Sequence, residues 1–440
     1  MRIIGEEQFD SYWKNPAGNR EDPSVERTVR EIIEDIRSGG DEALRRYTER
    51  FDGVSLPRFE VPPEKALAAW KELCGQEPEL AAALELAAAH IRRFAELQRS
   101  QIADFETEMS PGLFTGQRVI PVERAAVYVP AGRFPLFSSV LMGAIPALAA
   151  GAGEVVLASP PMKDGVPDRR ILAALALSGG NGDFAGKLRV FAIGGAQAIA
   201  ALALGTETVP RADVVAGPGN KYVAAAKRML SGEVGIDFVA GPTDVLVVLD
   251  AEGDADIAAA DMLAQAEHDP DARARALVPD QSAAEKIAAA LEIRLARLPE
   301  RPGRAARASL DSGGLIVVYR SKESAIRIAN AIAPEHLELQ TENAGEWIPF
   351  LKNYGSLFIG RLSAEVLGDY SAGINHTLPT SGSARFSGGL SVRHFLKTVT
   401  TLRCVPGAGF EQARKAAEII GEAEGLAAHA LSAAARRGLS

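Results

Sequence analysis

The chain has 440 residues, more than one hydrophobic core usually serves, so two or more domains are expected. Its hydrophobic fraction of 47% and charged fraction of 24% exclude a disordered or fibrous protein, and its net charge of −9 argues against nucleic-acid binding. The two cysteines, Cys74 and Cys404, are too few for a disulfide framework or a thiolate zinc site, so any metal must rely mainly on histidine and on carboxylate or amide oxygen.

The N-terminus, Met1 to Glu7, has no apolar signal-peptide core. The most apolar stretch runs from Val140 to Ala152, and it is too short to cross a bilayer. These features predict a cytoplasmic protein that acts on a small molecule and binds neither membrane nor nucleic acid.

Residues 1–110 are predicted to form an N-terminal helical arm. Asp22-Pro23-Ser24 is a helix-start signal, and Gly39-Gly40 and Asp52-Gly53 are stop signals for two successive helices. Pro62-Pro63 opens a third helix, and an alanine-rich fourth helix follows from about Leu80 to Leu97.

Residues 111–240 show a new pattern, in which short apolar runs alternate with helical periodicity. Strands are predicted at 125–129, 154–158, 189–193 and 213–216, and helices at 136–150, 168–176 and 196–204. This alternation indicates βαβ units and therefore a parallel sheet with helices on both faces.

The same alternation returns over residues 241–360, after a boundary near Val239–Pro242. Strands are predicted at 244–249, 275–278, 314–318, 336–339 and 356–359, and helices at 255–267, 283–298, 322–331 and 344–348. Residues 361–440 form a C-terminal extension, irregular and rich in Gly and Ser as far as Arg393, with a closing helix from about Gly409 to Arg436. The predicted fold class is α/β, with two tandem Rossmann-like parallel-sheet domains between a helical arm and a helical extension.

Two glycine turns follow predicted strands of the first domain. Gly217-Pro218-Gly219-Asn220 opens a helix, where backbone N–H groups and the helix dipole favour an anion such as phosphate. The dinucleotide fingerprint is incomplete because Tyr222 occupies its last glycine position, and an ordinary turn is an equally good interpretation. Gly194-Gly195-Ala196-Gln197 repeats the arrangement one unit earlier, and two such turns at one sheet edge favour a ligand crevice.

Several polar residues stand at positions where chemistry is possible. Gln265 and His268 share one face at the end of a helix stopped by Asp269-Pro270, which fits half of a metal or substrate site or simply a polar helix terminus. Glu335-His336 pairs a carboxylic acid with a base that titrates near neutrality, although such a pair is more often a surface feature. Asp369 lies in a glycine loop, where Asp usually serves the turn.

Longer stretches identify a family. From about Val25 to His429 the chain resembles the histidinol dehydrogenases. The matching stretches are Gly194–Leu202, Gly205–Pro210, Gly217–Asn220, Gly235–Asp237, Gln265–His268, Ala333–Leu337 and Gly368–Tyr370, in the order in which the family has them.

This resemblance implies an enzyme that oxidises L-histidinol through L-histidinaldehyde to L-histidine, with two NAD and one zinc ion per subunit. The zinc ligands would be Gln265, His268, Asp369 and His429, and the NAD contacts would be Tyr128, Gln197 and Asn220. His336 would take the alcohol proton, and Glu335 would activate the water that attacks the aldehyde. The substrate-binding residues would be the four zinc ligands together with Thr243, His336, His376 and Glu424.

The resemblance also implies a homodimer in which C-terminal segments are exchanged, so that Glu424 and His429 complete the partner's site. The sequence departs from the family pattern in a few places. Thr243 stands where serine is usual, Asp244 replaces a usual glutamate, and residues 131–134 replace a Gly-Gly turn.

Two alternatives remain open at this stage. Residues 384–392 look closer to paralogues that oxidise other polar primary alcohols, such as sulfopropanediol dehydrogenases, and this allows the same chemistry on another substrate. A zinc-stabilised dimer that binds histidine-like ligands without turnover is the other alternative. The presence of both Glu335 and His336 argues against it, because binding needs neither a base nor a water activator.

Overall fold

A computed structural model of the protein describes residues 1–13, 22–131, 135–180 and 187–438. It consists of two six-stranded sheets with helices packed on both faces and a third, three-stranded antiparallel sheet. Within the described ranges, no helix has the length and apolarity needed to cross a membrane. The predicted mixed α/β fold with parallel sheets is confirmed.

The N-terminal region is mainly helical. Its elements are β1 (Arg2–Gly5), α1 (Glu6–Trp13), α2 (Pro23–Asp52), β2 (Glu60–Val61), α3 (Pro63–Gln76), α4 (Pro78–Ser100), β3 (Phe105–Ser110) and β4 (Leu113–Pro121). The start signal is confirmed because the Asp22 side chain accepts a hydrogen bond from Ser24 N at 3.0 Å. The stop predicted at Gly39-Gly40 is a kink inside α2, where Gly40 has a φ of 47° and Glu207 accepts a hydrogen bond from Asp41 N.

The first parallel sheet follows. Its elements are β5 (Arg124–Tyr128), α5 (Ser138–Ala150), β6 (Glu154–Ser159), α6 (Arg169–Ser178), β7 (Leu188–Ala192), α7 (Gly195–Leu204), β8 (Val214–Ala216), α8 (Lys221–Leu230) and β9 (Gly235–Ile236). The strand order is β2-β7-β6-β5-β8-β9, with only β2 antiparallel to its neighbour. Because helices cover both faces, these strands are almost continuously apolar, and α2, α3 and α4 pack into the same core.

The second parallel sheet repeats this topology. Its elements are β10 (Asp244–Leu249), α9 (Ala255–Ala266), β11 (Arg273–Val278), α10 (Gln281–Leu295), α11 (Glu300–Gly313), β12 (Leu315–Val318), α12 (Lys322–Ile332), β13 (His336–Gln340) and β14 (Ser356–Ile359). The order β1-β12-β11-β10-β13-β14 matches the first sheet strand for strand, with an N-terminal strand added at the edge in each. Both faces of this sheet are covered by apolar clusters.

The C-terminal region contains α13 (Glu365–Tyr370), β15 (Leu396–Cys404), α14 (Ala408–Ala423) and α15 (Ala427–Ala434). The single closing helix that was predicted is in fact two helices, because Gly425 adopts a left-handed φ of 77° between them. The stretch predicted to be irregular contains α13, and the unpredicted β15 pairs with β4.

Other predictions about single elements need correction. Residues 1–110 are not wholly helical, since β1 joins the second sheet, β2 the first and β3 the antiparallel sheet. The helix predicted at 344–348 is a pair of 3-10 turns, with Pro349 in the second, and α11 was not predicted. Residues 132–134, most of the turn in which the sequence departs from its relatives, lie outside the described ranges.

Candidate active site

The carboxyl edge of the first sheet brings the two glycine turns together around Tyr128. The Tyr128 hydroxyl oxygen accepts a hydrogen bond from Gly195 N at 3.0 Å, at the start of α7. Gly217 has a φ of 120°, and a Cβ there would lie 2.1 Å from the Tyr128 carbonyl oxygen, so only glycine fits. Burial raises the Tyr128 pKa to about 12, which keeps the phenol protonated.

The other predicted cofactor residues stand beside these turns. Gln197 is buried in the first turn of α7, next to Gly195. Asn220 is the N-cap of α8, and its side-chain oxygen accepts hydrogen bonds from Tyr222 N and Val223 N at 3.0 and 3.2 Å. The side-chain amide N–H groups of Asn220 therefore remain to interact with a ligand, while its oxygen serves the helix.

In the second half, the candidate catalytic residues lie at the amino edge of the sheet. The first residues paired between β10 and β13 are Val245 and His336. Thr243, Asp244 and Glu335 immediately precede them, at the amino ends of the two strands. Helix α9 runs back against the strands, and its end returns Gln265 and His268 to the same edge.

Glu335 is a buried carboxyl held in one orientation. Its Oε2 accepts hydrogen bonds from Thr243 Oγ1 at 2.5 Å and from Asp244 N at 3.0 Å. Burial raises the pKa of Glu335 to about 7, and His336 and the two hydrogen bonds oppose that rise. A carboxyl that titrates near neutrality is suited to exchange a proton with water.

His336 is buried among three carboxylates. Its Nδ1 lies 3.8 Å from Glu365 Oε2 and 4.0 Å from Glu335 Oε2, and its Nε2 lies 3.5 Å from Asp369 Oδ1. Burial lowers the pKa of His336, but these carboxylates outweigh it and raise the pKa well above its usual range. The Nδ1 atom also lies 3.4 Å from the Asp244 carbonyl oxygen, so Nε2, which faces Asp369, is the nitrogen left for a substrate proton.

The candidate metal ligands Gln265, His268 and Asp369 lie around the same edge. The Gln265 amide fits its surroundings with its nitrogen donating to Glu365 Oε1 and its oxygen accepting from Asp244 N, both at 3.0 Å. Asp369 is buried on α13, where burial raises its pKa but the hydrogen bond and charge of His336, with smaller contributions from His376 and His268, outweigh this and lower it. His268 is therefore close enough to Asp369 to act on it electrostatically.

His376 connects this edge to the first half. Its Nδ1 is 2.9 Å from the Asp369 carbonyl oxygen, and its Nε2 is 3.1 Å from Ser139 Oγ at the start of α5. A carbonyl can only accept, so Nδ1 carries the proton and Nε2 accepts from the serine hydroxyl in the neutral ring. Burial lowers the pKa of His376, which favours that neutral form.

Glu424, the C-cap of α14, and His429, on α15, are both exposed and are not among the side chains buried around His336. Within the described part of one chain, no three His, Cys, Asp or Glu side chains converge on a point that would hold a metal ion. Gln265, His268 and Asp369 provide the nitrogen and oxygen donors that suit zinc, but they are an incomplete set without a further ligand.

Sequence reasoning missed a group of buried polar residues behind His336. Glu365 is fully buried, and its backbone N donates to Glu338 Oε1 at 2.9 Å. Gln340 Nε2 donates to Glu338 Oε2 at 2.7 Å and to Asp261 Oδ2 at 2.8 Å. A signal existed, because His336, Glu338 and Gln340 alternate along β13 and therefore share one face.

The protein therefore has two glycine turns at one sheet edge, a buried acid–base pair and a set of nitrogen and oxygen donors. Together these features define its class, a two-domain α/β oxidoreductase. The chain belongs to the histidinol dehydrogenase family, whose sequence model matches residues 16–437.

Individual relatives agree with this assignment. Histidinol dehydrogenase from Methylococcus capsulatus is 44% identical over 94% of this chain and 92% of its own length. The enzyme of the same name from Cupriavidus pinatubonensis is 42% identical over 94% and 91%. The crystal structure of histidinol dehydrogenase from Elizabethkingia anophelis superposes with a TM-score of 0.89 at 34% identity, covering 99% of this chain and 97% of that one.

Proposed function

We propose that this protein oxidises L-histidinol to L-histidine through L-histidinaldehyde, using two NAD and one zinc ion per subunit. The observation that carries the proposal is the buried Glu335–His336 pair with Thr243 at one end of the second sheet, next to Gln265, His268 and Asp369. Residues 111–240 would hold NAD at Tyr128, Gln197 and Asn220, and residues 241–360 would hold the substrate.

In the first oxidation His336 takes the proton of the alcohol hydroxyl while a hydride leaves the carbon that bears this hydroxyl for the nicotinamide ring, so that the aldehyde C=O bond forms. His336 can act as a base only when it is neutral. A cation bound at Asp369 would favour that state, because it opposes the carboxylates that raise the His336 pKa. When bound, zinc supplies an electrophilic centre that orients the imidazole and amine nitrogens of the substrate.

In the second oxidation Glu335 takes a proton from the water that adds to the aldehyde carbon. The resulting hydrate anion gives its hydride to a second NAD and becomes the carboxylic acid, which loses its proton to solvent and is released as the carboxylate. The hydrogen bonds from Thr243 and Asp244 hold the Glu335 carboxylate in one orientation beside His336. One site can therefore serve both oxidations. His376 would contact the substrate from the side of the first domain.

The decisive assay is NAD reduction with L-histidinol, run beside dihydroxypropane sulfonate and other small polar alcohols. We expect two NADH per histidinol and histidine as the product. The alternative, a paralogous dehydrogenase of another small polar alcohol, is not favoured, because the family model and the relatives are those of histidinol dehydrogenases. Turnover of such an alcohol without turnover of histidinol would overturn the first proposal and leave the chemistry intact.

We also propose a homodimer in which the C-terminal helices α14 and α15 are exchanged, with Glu424 and His429 completing the site of the partner. The earlier part of residues 361–440 stays with its own chain, because Asp369 contacts His336 and β15 pairs with β4. Two facts support this: both residues are exposed, and the ligand set within one chain is incomplete. Apolar side chains are also exposed on α14 and α15, among them Ile419, Ile420 and Leu431.

A mixing experiment tests the exchange. His336→Asn and His429→Ala are each expected to be inactive as homodimers. If the C-terminal segments are exchanged, unfolding and refolding the two variants together creates one intact site in each mixed dimer, and about a quarter of wild-type activity returns. If each chain completes its own site, no mixed dimer contains an intact site and activity does not return.

A further inference from the structure

A buried ion pair lies beneath the Gly217–Asn220 turn, outside the catalytic residues described above. Lys227, on α8, pairs with Asp237, which follows β9, and both side chains are almost completely buried. No charge of this pair reaches the solvent, so the pair does not serve solubility or steering.

The pair holds both backbone polar groups of Gly217. Asp237 Oδ2 accepts a hydrogen bond from Gly217 N at 2.8 Å, and Lys227 Nζ donates to Gly217 O at 3.0 Å. The second carboxylate oxygen of Asp237 accepts from Phe238 N at 2.7 Å and contacts Lys227. One glycine is thus clamped from both sides by opposite charges.

Gly217 is a place where such a clamp matters. Its left-handed φ of 120° sets the direction in which the chain leaves β8, and its Cα lies against the Tyr128 carbonyl. Glycine gives up more conformational freedom than any other residue, so a free Gly217 would populate several directions. Burying an ion pair removes both charges from water at a cost that their attraction only partly offsets, and an apolar pair would serve stability as well.

We propose that the Lys227–Asp237 ion pair is a positioning element for the nucleotide turn. It holds Gly217 so that the Asn220 side-chain amide and the backbone N–H groups of residues 219–221 face the pyrophosphate of a dinucleotide. The N–H groups of Gly217, Tyr222 and Val223 already donate to Asp237 and Asn220. Neither residue touches the cofactor. This inference rests on the proposed function, because it takes the Gly217–Asn220 turn to be the NAD site.

The test separates cofactor binding from the remaining steps. We expect Asp237→Asn and Lys227→Met to raise the KM and Kd for NAD about ten-fold, because the binding-competent turn is populated only part of the time. At saturating NAD, kcat and the KM for the alcohol should stay within about two-fold of wild type. Amide exchange at residues 217–220 should become faster in the same variants.

Arg189→Met is the matched control. Arg189 pairs with Glu60 and Glu154 on the same sheet, at 2.8 and 3.3 Å, away from the glycine turns. It should lower the melting temperature without a selective effect on NAD. The double variant Lys227→Met/Asp237→Asn leaves no unpaired buried charge, so it provides a folded protein if a single variant does not fold.

Three outcomes are distinguishable. Wild-type protein that does not bind NAD would refute the proposed function itself. Wild-type protein that binds NAD, with folded variants of unchanged NAD affinity and unchanged exchange at 217–220, would overturn the positioning role alone. Equal losses in kcat and in both KM values, as from general destabilisation, would also overturn it.

Discussion

The two halves of the molecule share one strand order but use opposite edges of their sheets. The first half presents the carboxyl ends of its strands, which is the usual ligand edge of open α/β sheets. The second half presents the amino ends of β10 and β13, where Glu335 and His336 begin a strand. Topology alone therefore does not place a site, and the side chains at each edge decide it.

The edges also differ in chemistry. The first edge consists of glycine turns, backbone N–H groups and one phenol, and its ion pair is hidden beneath a turn. The second edge gathers buried ionisable side chains whose pKa values are shifted. The first edge suits the binding of a large cofactor through backbone groups, whereas the second edge suits proton transfer by ionisable side chains.

The largest effect is expected from His336→Asn at the second edge. Loss of the base should lower the rate of the first oxidation by about 10²- to 10⁴-fold, while the Kd for NAD stays near that of wild type. Single-turnover NADH formation with histidinol measures the step. Glu285→Gln, an exposed carboxylate on α10, is the control. An unchanged first oxidation in His336→Asn would remove His336 from its role.

Glu335→Gln should separate the two oxidations. The amide cannot accept the proton of the attacking water, so we expect the aldehyde-to-acid step to fall by about 10²-fold or more while the first step is less affected. Assays started from histidinol and from histidinaldehyde measure the two steps. Equal loss in both would contradict the separate roles of Glu335 and His336.

Metal removal is a second way to disturb only the second edge. Chelation should lower turnover by about 100-fold, because the substrate loses its orienting ligand, yet NAD affinity should change by less than about two-fold. Turnover and NAD titration on the same metal-free sample, before and after zinc is restored, provide the comparison. Full turnover in metal-free protein would rule out an essential metal.

Gly217→Ala should do the reverse and disturb the first edge. The new Cβ would lie 2.1 Å from the Tyr128 carbonyl oxygen, so the turn must move, and we expect the KM for NAD to rise about ten-fold. Gly232→Ala is a sharp control, because Gly232 has a similar φ of 103° but open space around a Cβ. The control carries the backbone strain without the collision. A KM for NAD that is raised equally in the two variants would show that backbone strain, and not the position of the turn, is the cause.

Much of this fold could be predicted from local pattern. The strands of both parallel sheets are apolar runs between helical periods, and every strand predicted within 125–359 is present. The missed β15 and β4 have no such pattern, because their small sheet is exposed on one face and alternates only weakly. β1 could not be assigned to the second sheet because its partner, β12, is about 310 residues away, and local sequence carries no information on such pairing.

The site was harder to predict from the sequence than the fold. Spacing allowed Gln265 and His268 to share a helix face, but family resemblance was needed to connect them with Asp369 and His429. The choice of the amino edge depends on the register between β10 and β13, which no local pattern encodes. Glu365 carried no signal, since an acidic residue at the start of a helix usually interacts with the helix dipole in solvent.

The smallest effect on turnover is expected at Glu338, which lies behind the second edge and acts on stability. Burial raises its pKa to about 8 from an ordinary 4.5, and the neighbouring Asp261 adds to the rise. A carboxyl whose pKa is raised in the folded state stabilises fully below 4.5 and loses that contribution as pH rises towards 8. Glu338→Gln removes the titration. The free energy of unfolding of this variant, relative to that of the wild type, should therefore rise by about 3 kcal/mol between pH 5 and pH 8. Denaturant unfolding near pH 5 and near pH 8 measures this, with the exposed Glu342→Gln as control. A difference that does not depend on pH would show that Glu338 is ionised throughout, and that the second edge tolerates a buried charge which the first edge confines to an ion pair.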